Sequence, residues 1–179
     1  MNGIDMKNES FRNWSVAGGI IRKNSDVLLV ANRRKDSVKL RGKGGIDWSP
    51  PGGVVDQGES ELEALEREVY EETGLRVSTW SEFIYRVHVN FQEHGMHLEV
   101  KVFEAIEWKG SIVVNDPDGI VEDAKFFSEE DCEIRLKDSP VWVRDPFLTY
   151  LKDEIASEKS FGYLVTSDDS GDLIVKRNQ

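Results

Sequence analysis

The apolar positions of the chain fall into short runs that are separated by turn-forming residues. Residues 1–13 are polar and mixed, without a period, and they predict a mobile N-terminal arm. Residues 15–22 and 27–32 are β-rich, and the Lys-Asn-Ser-Asp segment between them is typical of a hairpin turn. Two strands are therefore predicted, followed by a basic, glycine-containing loop over residues 33–47 and a rigid Pro-Pro-Gly-Gly turn.

The spacing of apolar residues becomes helical at Ser60. Ser60 and Glu63 have the pattern of a capping box, and Gly74 is a typical C-terminal stop. Between them the apolar residues recur at helical intervals: Leu62, Leu65 and Val69. This pattern predicts a helix of about four turns that buries one face.

Beyond this helix the pattern predicts further strands and two short helices. The β-rich segments are residues 76–90, 98–108 and 120–127. One helix is expected to start near Ser128 and another to cover 141–155, with Pro146 either in its first turn or breaking it. We therefore expect one domain over residues 14–157, followed by a β-hairpin extension over residues 158–179.

Composition and charge narrow the class of protein. With 179 residues the chain is near the usual size of one domain, and its 39% hydrophobic content argues against disorder. No apolar run is long enough to span a bilayer. The formal charge of −11 disfavours nucleic acid and anionic membranes as partners. A single cysteine, Cys132, excludes an intrachain disulfide framework and indicates a reducing, cytoplasmic setting.

Part of the acidic excess is concentrated on the predicted helix. Glu68 and Glu72 lie one turn apart on the same face, and Glu71 lies beside them. Carboxylates about 5 to 6 Å apart repel by about 3 kcal/mol per pair at an effective dielectric of about 20, so the cluster needs solvent or a cation. Hard divalent cations take oxygen ligands, and Mg²⁺ shares them with substrate phosphates. A solvated Glu-rich helix face is the alternative.

The spacing of the acidic residues decides between these two interpretations. The chain matches, without departure, the signature of the Nudix hydrolase family at Gly53, Glu59, Arg67, Glu68, Glu71, Glu72 and Gly74, with aliphatic Val69 and Leu75. Seven fixed identities coincide by accident in about one in a million chains of this length. The chain therefore resembles MutT-like Nudix hydrolases. The resemblance implies an α/β fold, namely an α/β/α sandwich around a mixed β-sheet.

The resemblance also implies a metal site that holds Mg²⁺ or Mn²⁺ together with a diphosphate. Glu68 and Glu72 are the first candidates for direct metal ligands. Glu71 and the backbone carbonyl of Gly52 are the next candidates. Water attacks a phosphorus atom of the pyrophosphate in the implied reaction.

The same resemblance assigns the catalytic roles. Glu71 is the first choice for the general base, because a carboxylate must accept the proton of the attacking water. Glu68 is a further catalytic candidate, and Glu59, in the loop before the helix, and Arg67, which orients a carboxylate, are implied to support the catalytic set. Gly53, a candidate for substrate binding, is implied to serve a backbone turn that a side chain would obstruct.

Acidic and imidazole groups outside the motif are weaker candidates. Asp116, Asp118 and Glu122 lie where some relatives place an additional acidic ligand or base, and surface acids are the alternative. The histidines show no metal-ligand spacing in the sequence and are expected to be solvated or structural: His88, His94 and His97.

Basic and aromatic residues near the motif are candidates for substrate contacts. The basic run that begins with Arg33 and Arg34 either closes over phosphates or forms a solvated loop. Trp14, Trp48 and Phe91 either stack on a base or pack in the core.

These features predict a Mg²⁺-dependent pyrophosphohydrolase that acts on a small nucleotide. A nucleoside triphosphate or oxidised dNTP is the favoured, MutT-like substrate. An ADP-ribose or nucleotide-sugar pyrophosphatase is the alternative, although residues 89–92 lack the Pro that relatives selective for ADP-ribose carry in this region. A non-catalytic nucleotide-binding module is the alternative from another class, and the intact acidic set argues against it. Monomer and homodimer both remain open.

Overall fold

Strands make up most of the regular structure. A computed structural model describes residues 12–33, 45–153 and 160–178, and these ranges contain two β-sheets and three α-helices. The strands are β1 (Arg12–Ile20), β2 (Arg22–Lys23), β3 (Asp26–Arg33), β4 (Ile46–Ser49), β5 (Gly52–Val54), β6 (Arg76–Trp80), β7 (Tyr85–Phe91), β8 (Met96–Lys109), β9 (Val121–Phe127), β10 (Ser160–Ser167) and β11 (Leu173–Asn178). The helices are α1 (Glu61–Thr73), α2 (Glu129–Arg135) and α3 (Val141–Leu151).

The larger sheet is mixed, with strand order β11-β10-β7-β8-β1-β5 and with β6 paired to β8. β1 is parallel to β8 and β10 is parallel to β7, whereas β7 and β8 are antiparallel. The smaller sheet has the order β2-β3-β4, with β9 paired to β3. The predicted N-terminal hairpin is therefore formed by β2 and β3, because both edges of β1 are occupied by β5 and β8.

The helices cover the sheets from two sides, which confirms the expected α/β class with a mixed sheet. On one side α1 contributes Leu65 and Val69 to a core that includes Phe103 of β8. On the other side α2 and α3 contribute Cys132 and Phe147 to a second core. None of the helices in the described ranges is long and apolar enough to cross a membrane.

Helix α1 begins and ends where its capping residues predict. The Ser60 hydroxyl accepts a hydrogen bond from the Glu63 amide, and the Glu63 carboxylate accepts one from the Ser60 amide. Gly74 ends the helix with a φ of 74°, in the left-handed region. A Cβ atom at Gly74 would lie 2.9 Å from the Val113 carbonyl oxygen, so the passing chain also requires glycine there.

Several element boundaries differ from the prediction, including the end of α3 at Leu151 instead of residue 155. β1 already begins at Arg12, because its pairing with β8 includes Arg12 and Asn13; residues 1–11 of the predicted arm lie outside the described residues. The predicted strand 76–90 is divided into β6 and β7, which pair with different parts of β8. Pro146 is the sixth residue of α3, where it is buried, and the helix continues past it. Burial of its ring offsets the missing N–H group.

The C-terminal hairpin is part of the main sheet. β10 pairs with β7, and β11 pairs with β10 as the edge strand. Phe161, Tyr163 and Val165 are buried in the second core, where the Phe161 and Tyr85 rings meet edge to face with centroids 5.8 Å apart. Leu164 alternates with them and lies on the opposite face. The hairpin therefore completes the core.

If the hairpin is an integral part of the core, Phe161→Ala should lower the free energy of unfolding by about 3 to 5 kcal/mol, through lost burial and a cavity. Leu164→Ala on the opposite face of the same strand is the matched control and should cost much less. Urea unfolding followed by circular dichroism measures both variants. Equal losses in the two variants would contradict the assignment of Phe161 to the core.

Candidate active site

One arginine of α1 contacts carboxylates of its own helix and of the loop before it. Arg67 Nε and Nη2 each lie 2.9 Å from an oxygen of Glu59, which makes a bidentate pair. Arg67 Nη1 lies 2.7 Å from Glu68 and 3.6 Å from Glu71. Hydrogen bonding to Arg67 lowers the pKa of Glu59 to about 2. Arg67 thus connects the loop before α1 to the acidic face of the helix.

Glu72 is the most deeply buried of these carboxylates, with 8% of its surface exposed. One of its oxygens accepts a hydrogen bond of 2.9 Å from the backbone amide of Gly52. Burial raises the pKa of Glu72 to about 8, against the effect of that hydrogen bond. The negative charges of Glu68, Asp116 and Glu71 raise this pKa further. Such a group favours either a proton or a bound cation.

Two glycines let the backbone of β5 approach its neighbours closely. A Cβ atom at Gly53 would lie 2.3 Å from the carboxyl carbon of Glu68. At Gly52, where φ is 145°, a Cβ atom would lie 2.2 Å from the Ala17 carbonyl oxygen. The strand therefore fits between β1 and the acidic face of α1 only because these two positions lack side chains.

The carboxylates of α1 fit a hard divalent cation by the type of their donors, since all of these donors are oxygen atoms. Burial and nearby negative charge raise the pKa values of both Glu68 and Glu72, although Arg67 opposes this at Glu68. Across the described ranges, no three acidic, His or Cys side chains converge as a ready metal site. Glu68 faces Arg67 and Glu72 faces the Gly52 amide, so metal binding requires these contacts to be at least partly exchanged.

A cleft of about 340 Å³ opens beside Gly52. Its walls are mainly apolar and include four aromatic residues: Trp14, Trp48, Tyr85 and Trp142. Its polar residues are Asn32, Asp47 and Ser49, and the Asn32 side-chain amide donates a 2.9 Å hydrogen bond to the Ser49 hydroxyl. An apolar cleft of this size with a few polar groups is typical of a small-molecule site.

The acidic and basic candidates outside α1 differ in their contacts and exposure. The Asp116 carboxylate accepts hydrogen bonds of 2.6 and 2.8 Å from two backbone amides of the following turn, so it shapes that loop. Asp118 is exposed, and its charge contributes to the raised pKa of Glu68. Glu122 forms an ion pair with Arg33. Arg34 lies outside the described residues.

The aromatic candidates separate into two groups. Trp14 and Trp48 line the cleft, and 43% of Trp14 is exposed. Phe91 is only 3% exposed and packs edge to face against Trp142, with ring centroids 5.5 Å apart. Phe91 is therefore a core residue and is not available to stack on a base.

Sequence reasoning missed Asp47, which lines the cleft and is only 5% exposed. The chain before Trp48 is predicted to be a loop, whereas β4 pairs there with β3 and places Asp47 opposite Asn32. No local signal in the sequence indicates this burial, because the pairing joins segments on either side of a long basic stretch.

Comparison with known proteins agrees with the interpretation of this acidic face as a candidate active site. The NUDIX domain family matches residues 12–151, which include α1 and most of the chain. The chain belongs to the Nudix family. Nudix hydrolases generally use divalent metal ions, which agrees with the oxygen donors on α1.

Individual relatives in this family are similar over limited segments. An RNA pyrophosphohydrolase from Bartonella bacilliformis is 36% identical over 84 residues, which are 40% of this chain and 49% of the relative. An asymmetrical bis(5'-nucleosyl)-tetraphosphatase from Rattus norvegicus is 40% identical over 62 residues, which are 34% of this chain and 42% of the relative. The chain thus spans less than half the length of these relatives.

Solved Nudix structures share the fold. The MutT protein from Methanosarcina mazei has a TM-score of 0.63 and 22% identity, covering 83% of this chain and 99% of its own. The MutT protein from Bacillus halodurans has a TM-score of 0.60 and 21% identity, covering 92% and 97%. These similarities support the Nudix fold and leave the substrate to be inferred from the site.

The raised pKa of Glu72 makes the stability of the metal-free protein depend on pH. Its unperturbed pKa is about 4.5 and its folded value is about 8, so the folded state binds the proton more tightly. The corresponding stability is fully present below about pH 4.5 and is lost as the pH rises through about 8. In EDTA at pH 8.5, Glu72→Gln should therefore melt roughly 5 °C or more above the unmodified protein.

Differential scanning calorimetry at pH 5 and pH 8.5 measures this effect. Glu66→Gln is the matched control on α1, because Glu66 is exposed, and it should follow the unmodified protein at both pH values. A melting temperature of Glu72→Gln at pH 8.5 that equals or falls below that of the unmodified protein would show that ionised Glu72 does not oppose folding.

Proposed function

We propose that this Nudix protein is a Mg²⁺-dependent pyrophosphohydrolase of nucleoside triphosphates, including oxidised dNTPs. The observation that carries the proposal is the hydrogen bond between Glu72 and the Gly52 amide. Gly52 also lines the cleft, so the acidic face of α1 and the aromatic cleft meet at one residue. A nucleotide can place its base in the cleft while its phosphates reach the carboxylates.

The acidic residues are proposed to have different roles in the reaction, according to their surroundings. Glu68 and Glu72 are proposed to hold Mg²⁺, with Glu71 and the Gly52 carbonyl as further ligands. When bound, Mg²⁺ withdraws charge from the phosphate oxygens and lowers the pKa of water. Arg67 fixes the orientation of Glu59 and Glu68 through hydrogen bonds of 2.7 to 2.9 Å.

Glu71 is proposed to be the general base. It lies 3.6 Å from Arg67, farther than Glu68 does, and about a third of its side chain is exposed. Glu71 is therefore the carboxylate most free to turn toward water and accept its proton. Arg33, with two thirds of its side chain exposed, is proposed to contact the phosphates by releasing Glu122.

A second candidate function follows from the relatives. These relatives include RNA pyrophosphohydrolases, and the similarity lies in segments of the chain that are 36–45% identical. A 5'-triphosphorylated RNA offers the same phosphate linkage as a nucleoside triphosphate. The charge of −11 opposes an extended RNA contact, so we favour the free nucleotide.

Hydrolysis of a substrate panel tests the function directly. The panel contains nucleoside triphosphates, oxidised dNTPs, ADP-ribose and a 5'-triphosphorylated RNA oligonucleotide. With Mg²⁺ the nucleoside triphosphates should be cleaved fastest, and EDTA should abolish cleavage. Glu72→Gln should lower kcat by about 100- to 1,000-fold or more, because an anionic ligand of the Mg²⁺ that stabilises the reacting phosphates is lost. Glu66→Gln, on the same helix but exposed, should keep the activity.

The remaining outcomes of the substrate panel each indicate a different function. Fastest cleavage of the RNA or of ADP-ribose would replace the proposed substrate with that compound. If no compound were cleaved while a nucleotide still raised the melting temperature, a non-catalytic binding module would replace the hydrolase.

From the position of Trp14 in the cleft we expect an effect on substrate binding that is separate from the effect on the rate of hydrolysis. Trp14→Ala should raise KM by roughly 5- to 100-fold with little change in kcat, because it removes a stacking surface for the base without touching the carboxylates. Ile106→Ala is the control, since Ile106 is 62% exposed and does not line the cleft. Steady-state kinetics on the preferred nucleotide measures both variants, and an unchanged KM for Trp14→Ala would contradict the placement of the base.

A further inference from the structure

Two histidines lie side by side on the face of the main sheet that is opposite the cleft. His88 is in β7 and His97 is in the antiparallel strand β8, where Asn90 pairs with His97 and Glu99 pairs with His88. The two imidazoles are therefore diagonal neighbours on one face, and both are half-buried. The Nudix chemistry proposed above uses neither of them.

The two rings turn their nitrogen atoms toward each other. His88 Nδ1 and His97 Nε2 are 3.4 Å apart, whereas the ring centroids are 5.5 Å apart. At this distance one neutral imidazole can donate a hydrogen bond to the other, with the direction set by their tautomers. Two nitrogen ligands at about 2.0 to 2.1 Å from a tetrahedral ion lie about 3.3 to 3.4 Å apart. The pair thus has the spacing of two ligands of one metal ion.

Two oxygen-bearing side chains, Asn90 and Glu99, are the cross-strand neighbours of the pair. Asn90 Oδ1 is shielded from solvent and has no hydrogen-bond partner in the described part of the chain. The Glu99 carboxylate is 3.2 Å from Arg86 Nε, so one negative and one positive charge flank His88. Gly162 of β10 pairs with His88, so β10 places no side chain directly beside that residue.

We propose that His88 and His97 bind a transition-metal ion of the Zn²⁺ class, with Asn90 as a candidate third donor. Neutral imidazole suits Zn²⁺, Cu²⁺ and Ni²⁺, whereas the carboxylates of α1 suit Mg²⁺. The site is separate from the cleft, because the β8 residues that line the cleft, such as Leu98, alternate with His97. A bound ion would tie β7 to β8 next to their connecting turn.

Calorimetric titration of the full chain with Zn²⁺ in excess Mg²⁺ tests the proposal. The unmodified protein should bind one Zn²⁺, and His88→Asn and His97→Asn should each weaken that binding about tenfold or more. His94→Asn is the matched control, since His94 is exposed in the turn between the same two strands. Repeating the titration with Glu72→Gln separates this site from the Nudix carboxylates, and Zn²⁺ binding should persist there.

Two further measurements keep the test independent of whether a histidine variant folds. A Zn²⁺ concentration one hundred times Kd should raise the melting temperature of the unmodified protein by about 5 to 10 °C. The electron paramagnetic resonance spectrum of the Cu²⁺-loaded unmodified protein, recorded in excess Mg²⁺, should show coupling to two imidazole nitrogens. The proposal is overturned if Zn²⁺ does not bind, if Glu72→Gln abolishes binding, or if His97→Asn binds Zn²⁺ as tightly as the unmodified protein.

Discussion

The candidate active site depends on one guanidinium that holds several negative charges in place. Arg67 pairs with Glu59 from the preceding loop and with Glu68 and Glu71 from its own helix. Without it, carboxylates one helical turn apart would repel one another and turn toward solvent. Arg67 supplies one positive charge to several carboxylates, so it orients them while leaving a net negative charge. A divalent cation can still bind such a set.

A second constraint is the close approach of β5 to α1. Gly53 allows the Glu68 carboxylate to lie against the strand, and Gly52 brings its amide to Glu72. The same strand forms part of the cleft wall. Because backbone rather than side chains fills this gap, the distance between the carboxylates and the cleft is fixed by the pairing of β5 with β1. The positions of base and phosphates in the proposed substrate complex therefore follow from a strand register.

The sequence predicts those parts of the fold that are determined locally. The ends of α1 depend on Ser60, Glu63 and Gly74, which act within a few residues, and the structure has them as expected. The burial of Phe91 follows the alternation of β7, where every second residue is buried. The same alternation of apolar and polar residues is visible in the sequence of this strand. Asp47 is different, because its burial depends on the pairing of β4 with β3 across residues that are distant in the chain.

Side chains that alternate along β8 place the apolar residues of the cleft and the imidazole pair on opposite faces of the sheet. Leu98 and its alternate neighbours line the cleft, whereas His97 and Glu99 face the other side of the sheet. A shift of one residue in the pairing of β8 would exchange these two faces and would place charged and imidazole groups in an apolar cleft. That exchange would bury polar groups without partners, which costs several kcal/mol. The parallel pairing of β8 with β1 over nine residue pairs opposes the shift, so one long register maintains both the cleft and the imidazole pair.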